Sequence, residues 1–150
     1  MSRIFVTGST DGLGLAAART LMADGHEVVL HARSKERASA VSALSSRSAG
    51  VVIGDLSSGA ETRSVADQVN RIGRMDAVIH NAGIYLERSR GNTPEGHART
   101  LAVNTLAPYI LTALIERYLN EAEDRVLTNR QKALDIWRIT AQAKRPVGRS

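Results

Sequence analysis

Hydrophobic and polar positions fall in alternating blocks along the chain. Short continuous apolar runs predict strands over Arg3–Thr7, Val28–Ala32, Val51–Gly54 and Ala77–His80. Between them, Ala and Leu recur at helical spacing among charged residues. This predicts a helix over Leu13–Asp24, stopped by Gly25, and another over Lys35–Leu44, capped by Ser34. A third is predicted from a cap at Ser57 or Ser58 to Ile72, stopped by Gly73. A loop with Gly91, Asn92 and Pro94 follows. A long helix is then predicted over Glu95–Asn120, with Leu101, Leu106, Ile110, Leu111, Leu114 and Ile115 on its apolar side. Strand and helix alternate throughout. Strands that are apolar on both faces need cover on both faces, so the pattern predicts a doubly wound parallel sheet, an α/β fold of three layers.

The periodicity fades after Asn120. Arg125–Leu127 can start a fifth strand, and Ala133–Ala143 can form a short helix with Trp137 on one face. Pro146, Gly148 and Ser150 read as a frayed end. The sheet is therefore expected to be incomplete on its C-terminal side. The fourth strand would then be an exposed edge, with poor solubility or self-association as the consequence.

Composition supports a globular domain: of 150 residues, 43% are hydrophobic and 23% charged. No apolar run approaches the ~20 residues of a membrane span. Met-Ser-Arg leads straight into the first strand, so no signal peptide is expected. Cysteine is absent, which excludes disulfides, cysteine nucleophiles and thiolate metal sites and fits a cytoplasmic protein. His26, His31, His80 and His97 have no metal-ligand spacing.

Charge changes the picture in one respect. The net charge is +5, yet residues 1–124 carry 13 basic and 14 acidic groups, while residues 125–150 carry 7 basic and 1 acidic. The positive balance thus lies in residues 125–150, and residues 1–124 are near neutral; the domain organisation expected is a nucleotide-binding domain over 1–120 and a basic C-terminal segment over 121–150. Apart from Trp137 that segment has no aromatic stacking platform, so nucleic acid is not the expected partner.

The first strand runs into Thr7-Gly8-Ser9-Thr10-Asp11-Gly12-Leu13-Gly14. Gly8 permits a sharp turn out of the strand. Gly12 and Gly14 remove side chains, so that a pyrophosphate can approach backbone N–H groups at the positive end of the following helix. Gly12-Leu-Gly14-Leu-Ala-Ala17 also satisfies the G-x-G-x-x-A dinucleotide fingerprint, with Ala17 allowing close helix–strand packing.

Thr-Gly-x-x-x-Gly-x-Gly at the first strand–helix turn resembles the short-chain dehydrogenase/reductase family. Three further matches follow in order: Asp55-Leu56 after the third strand, Asn81-Ala82-Gly83 after the fourth, and Asn104 within Val103-Asn104-Thr105. The resemblance covers about residues 3–119. It implies a Rossmann-like fold, a nicotinamide cofactor, and hydride transfer between that cofactor and a carbonyl or alcohol. It implies that Asp55 contacts the adenine, that Asn81-Ala82-Gly83 lines the cofactor, and that Asn104 belongs to the catalytic group. Gly83-Ile84-Tyr85 and Thr93-Pro94-Glu95-Gly96-His97 resemble the retinol-dehydrogenase-like branch.

Cofactor choice is read at the end of the second strand. His31-Ala32-Arg33-Ser34 has no acid there to bind a ribose diol, and Arg33 lies 19 residues after Gly14. A guanidinium suits a 2′-phosphate, so NADP is favoured over NAD. His31 reads as a packed strand residue.

The rest of the family's catalytic group is missing. The resemblance implies a Tyr followed four residues later by Lys, and a Ser. Here Tyr85, Tyr109 and Tyr118 are followed at that spacing by Ser89, Ala113 and Ala122, and the lysines are Lys35, Lys132 and Lys144. After Ser89 no Ser occurs before Ser150. The expectation is a cofactor-binding half with impaired catalysis, from a coding sequence interrupted near Asn120 by frameshift, deletion or early stop. The alternative is a non-enzymatic NADP-binding module or sensor. The substrate is not readable.

Overall fold

A computed structural model describes residues 1–85, 91–119 and 125–127. The predicted Ala133–Ala143 helix, Trp137 and the end from Pro146 lie outside the described residues. So do Ser89, Ala122, Lys132, Lys144 and the side chain of Tyr118.

The elements are β1 (Arg3–Val6), α1 (Gly12–Ala23), β2 (Glu27–Ala32), α2 (Lys35–Ser39), α3 (Ser42–Ser45), β3 (Gly50–Ile53) and α4 (Gly59–Ile72), then β4 (Ala77–Ile79), α5 (Arg99–Leu101), a π-helical turn (Ala102–Leu106), α6 (Ala107–Leu119) and β5 (Arg125–Leu127). All strand pairs are parallel, and the sheet order is β3-β2-β1-β4-β5. The order reverses between β1 and β4, which opens a crevice at the carboxyl ends of these strands.

Side-chain alternation divides the core into two layers. Ile4, Val6, Val28 and Leu30 face α1 and the α2–α3 segment, packing with Ala18 and Val41. Phe5, Val29, Val52 and Val78 face the opposite way, packing with Val65 and Val69 of α4 and Leu111 and Ile115 of α6. This is the predicted doubly wound, three-layer α/β fold. Among the described residues no helix is long and apolar enough to cross a membrane.

Three details differ from the sequence reading, and the choice left open between Ser57 and Ser58 is decided. The predicted helix over Lys35–Leu44 is broken: Val41 leaves helical geometry (φ −114°, ψ 22°) and buries its side chain in the core. Its apolar burial outweighs the one helical turn lost. Ser58, not Ser57, caps α4, accepting a hydrogen bond from the Glu61 N–H. The helix predicted from Glu95 starts at Arg99. Thr93–Gly96 instead forms a turn with Pro94 at its second position, and Asn92 bridges Ala98. Finally, β4 is not an edge, because Arg125–Leu127 pairs with it.

Candidate functional site

The crevice is a cleft of about 400 Å³. Loops after β1, β2, β3 and β4 all contribute to its walls, through Gly8, Arg33, Asp55 and Asn81 among others. Thr10, Gly12, Leu13, Leu56, Ala82 and Gly83 also line it. Residues far apart in sequence are thus brought together by the parallel topology. Thr7, Ser9, Gly14 and Asn104 do not line it and act from behind.

The loop after β1 is held from three sides. Gly8 turns the chain at φ +62°, a conformation that favours glycine. Its carbonyl accepts a hydrogen bond from Asn81 Nδ2 (3.0 Å), which also donates to the Thr7 carbonyl (3.1 Å). Thr7 Oγ1 accepts from the Ala82 N–H. Ser9 is fully buried and exchanges hydrogen bonds with the His31 backbone, its Oγ accepting from the His31 N–H at 2.8 Å. Gly14 has a reason the glycine pattern did not reveal: a Cβ there would strike the Gly8 carbonyl and the Asn81 side chain. Gly12 faces open space at φ +51°.

Asp11 stands at the N-cap of α1 but makes no capping hydrogen bond. Its carboxylate turns away to Arg37, at 2.9 Å. The first-turn amides of α1 are therefore left without a side-chain cap at the floor of the cleft, where an anion is stabilised. Arg33 is exposed at the rim, and among the described residues no carboxylate pairs with it. Asp55 Oδ1 accepts from the Ser57 N–H at 2.9 Å, which shapes the loop after β3.

His31 is the residue whose role the sequence reading missed. It is 2% exposed. Its Nδ1 accepts from the Gly8 N–H and its Nε2 donates to the Gly54 carbonyl, both at 2.9 Å. Burial pushes its pKa below the ordinary value, against smaller raising effects of the Gly54 carbonyl and Asp55. The one signal available was a polar residue inside an otherwise apolar strand.

Asn104 lies in the π-helical turn. Its Oδ1 accepts from the Ile84 N–H (2.8 Å) and its Nδ2 donates to the Ile84 carbonyl (2.9 Å). Both ends of its amide are engaged in bracing the segment after β4. Tyr85 is 99% exposed, and Tyr109 projects from α6 largely into solvent. Among the described residues no group of His and carboxylate side chains could hold a metal.

Such a cleft, with a glycine turn feeding a helix at a topological switch point, defines the class of doubly wound nucleotide-binding folds. Comparison with known proteins narrows this. The short chain dehydrogenase family model matches residues 2–127. The chain is 48% identical over 119 residues to an uncharacterized oxidoreductase of Emericella nidulans, covering 78% of this chain and 47% of that one. It is 50% identical over 117 residues to the short-chain dehydrogenase chyC of Penicillium rubens, covering 78% and 45%. Among solved structures, the RhlG/NADP active-site complex of Pseudomonas aeruginosa superposes with TM-score 0.71 at 25% identity, over 85% of this chain and 53% of that one. A blue fluorescent protein from a metagenomic library, in complex with NADPH, gives TM-score 0.65 at 27% identity, over 77% and 50%. The chain belongs to the short-chain dehydrogenase family. It spans about half the length of the curated relatives it matches.

Proposed function

We propose that this chain is the NADP(H)-binding half of an oxidoreductase that moves hydride between a nicotinamide cofactor and a carbonyl or alcohol. The observation that carries this reading is the convergence on one cleft of the glycine loop, the start of α1 without a side-chain cap, and Arg33, which pairs with no carboxylate among the described residues. The residues fit the group. Thr7, Gly8, Ser9, Thr10, Gly12, Leu13 and Gly14 form and support the pyrophosphate cradle. Arg33 takes the 2′-phosphate, which favours NADP over NAD. Asp55 and Leu56 border the adenine, and Asn81, Ala82 and Gly83 line the cofactor. The neighbours solved with NADP and NADPH support the same assignment.

The bound nicotinamide would supply the hydride chemistry. This chain's own residues bind and orient it. The nucleotide-binding unit is residues 1–120, and the basic segment 121–150 lends the sheet its Arg125–Leu127 strand. No tyrosine here has a lysine four residues on, so the chain has no phenol activated for proton transfer in that manner. Residues 1–150 by themselves are expected to bind nucleotide with impaired turnover. That same observation favours the second reading, a binding module or sensor.

Thermal melting with and without nucleotide tests the binding. At about 100 times its dissociation constant a ligand stabilises by about 2.7 kcal/mol, or roughly 5–10 °C for a chain of this size. A shift with NADPH exceeding that with NADH is expected. A clean melt with no shift from either overturns the assignment of the cleft.

A further inference from the structure

We propose that His31 is a positioning residue for the nucleotide: as a neutral imidazole it clasps the loops after β1 and β3 together, and its protonation releases the phosphate loop and the nucleotide with it. The inference rests on the nucleotide reading of the cleft.

The geometry leaves one tautomer. Gly8 N–H can only donate and Gly54 C=O can only accept. Nδ1 must therefore be bare and Nε2 must carry the proton, with both contacts at 2.9 Å. The side chain spans from the loop after β1 to the end of β3, and both loops form walls of the cleft. The clasp also fixes a single peptide. Gly8 gives its N–H to His31 and its carbonyl to Asn81, so its turn is defined from both sides. The amides that follow it, up to the start of α1, inherit that direction.

A second proton on the ring would put N–H against N–H at Gly8. That contact loses a buried hydrogen bond and becomes repulsive, while the Gly54 bond survives. The loop after β1 gives way first. The charged groups around the ring do not prevent this. Asp55, beyond β3, draws a proton toward His31, but desolvation outweighs it. Asp11, from the loop after β1, is neutralised by Arg37 of α2. Arg33, just past the end of β2, carries a charge of the same sign as a protonated imidazole. Phe5 of β1 meets the ring edge-on and carries no charge. Released in acid, the loop no longer presents its amides to the pyrophosphate.

The test is calorimetric titration of the full chain with NADP⁺ from pH 8 to pH 5, beside His31→Asn. Asn places an amide oxygen near the Nδ1 position, accepts from Gly8, and does not titrate. Protonation of the 2′-phosphate weakens both proteins alike. Beyond that shared change, wild-type affinity is expected to fall by up to about tenfold per pH unit once the imidazole titrates, and the extra slope to vanish in His31→Asn. Equal slopes with binding intact overturn the clasp alone. Failure of both proteins to bind NADP⁺ at any pH overturns the nucleotide reading, and this proposal with it. If His31→Asn does not fold, nitrogen-15 shifts of His31 in the wild type decide the matter. A protonated Nδ1 with NADP⁺ still bound at full affinity overturns the proposal.

Discussion

Asn104 and Ile84 exchange two hydrogen bonds, the side-chain amide of one satisfying both backbone groups of the other. The pairing spans 20 residues and joins the π-helical turn before α6 to the segment leaving β4. π-Turns often mark functional sites, and here the turn sets Asn104 against the wall of the cleft that carries Asn81-Ala82-Gly83. Asn104→Ala removes both partners of Ile84 at a half-buried site. It is expected to destabilise the chain by about 1–3 kcal/mol in urea unfolding. Asn104→Asp keeps the acceptor and loses the donor, so it should fall between the two.

Gly14 and Gly12 are expected to behave oppositely although both belong to the glycine pattern. A Cβ at Gly14 meets the Gly8 carbonyl and Asn81 inside the protein. Gly14→Ala should displace the loop, lower the melting temperature and abolish nucleotide binding. A Cβ at Gly12 meets nothing within 4 Å, but the backbone is left-handed there. Gly12→Ala should cost about 1–2 kcal/mol of backbone strain while the fold survives. Equal losses in the two variants would contradict this division.

Arg33 is expected to set the preference between cofactors. Arg33→Ala removes a charge-assisted contact worth about 1.5–3 kcal/mol, so NADP affinity should fall roughly tenfold to a hundredfold. NAD affinity should stay within a factor of about two. Competitive titration with the two nucleotides measures the ratio. Parallel loss of both would place Arg33 at the pyrophosphate instead.

Stability should decline in acid through His31. Burial lowers its pKa in the folded chain below the ordinary 6.5. Below pH 6.5 the unfolded chain takes up a proton that the folded chain resists. The stabilisation is thus fully present above that pH. It is lost as pH falls toward the folded-state value. Urea midpoints at pH 7.5 and 5.0 should differ more in wild type than in His31→Asn.

The surface pair of Asp11 and Arg37 should matter little to folding. Both side chains are substantially exposed, 67% and 43%, and such pairs contribute about 0–1 kcal/mol. Arg37→Ala should leave the melting temperature nearly unchanged. Nucleotide affinity is the more sensitive readout, because the freed Asp11 carboxylate can turn back to cap α1 where a phosphate would sit. Adding Asp11→Ala to Arg37→Ala should restore the affinity.

By itself the sequence determined the layers and their order. Period-two and helical spacing act locally, so Phe5 and Val29 fall on one face of the sheet and Ile4 and Val28 on the other without any long-range information. The glycine turn, Arg33 and the Asn81 segment were legible for a related reason: special backbone or charge at a strand end has few other uses. Tertiary structure decided what depends on contacts across the chain. Val41 broke its helix because a core site was waiting for it. Gly14 is constrained by Asn81, which lies 67 residues further on. Asn104 binds both backbone groups of Ile84. His31 looked like a packed strand residue because a single strand does not show that Gly8 and Gly54 flank its ring. Hydrogen bonds are directional and short, so their partners become visible only when the strands lie side by side.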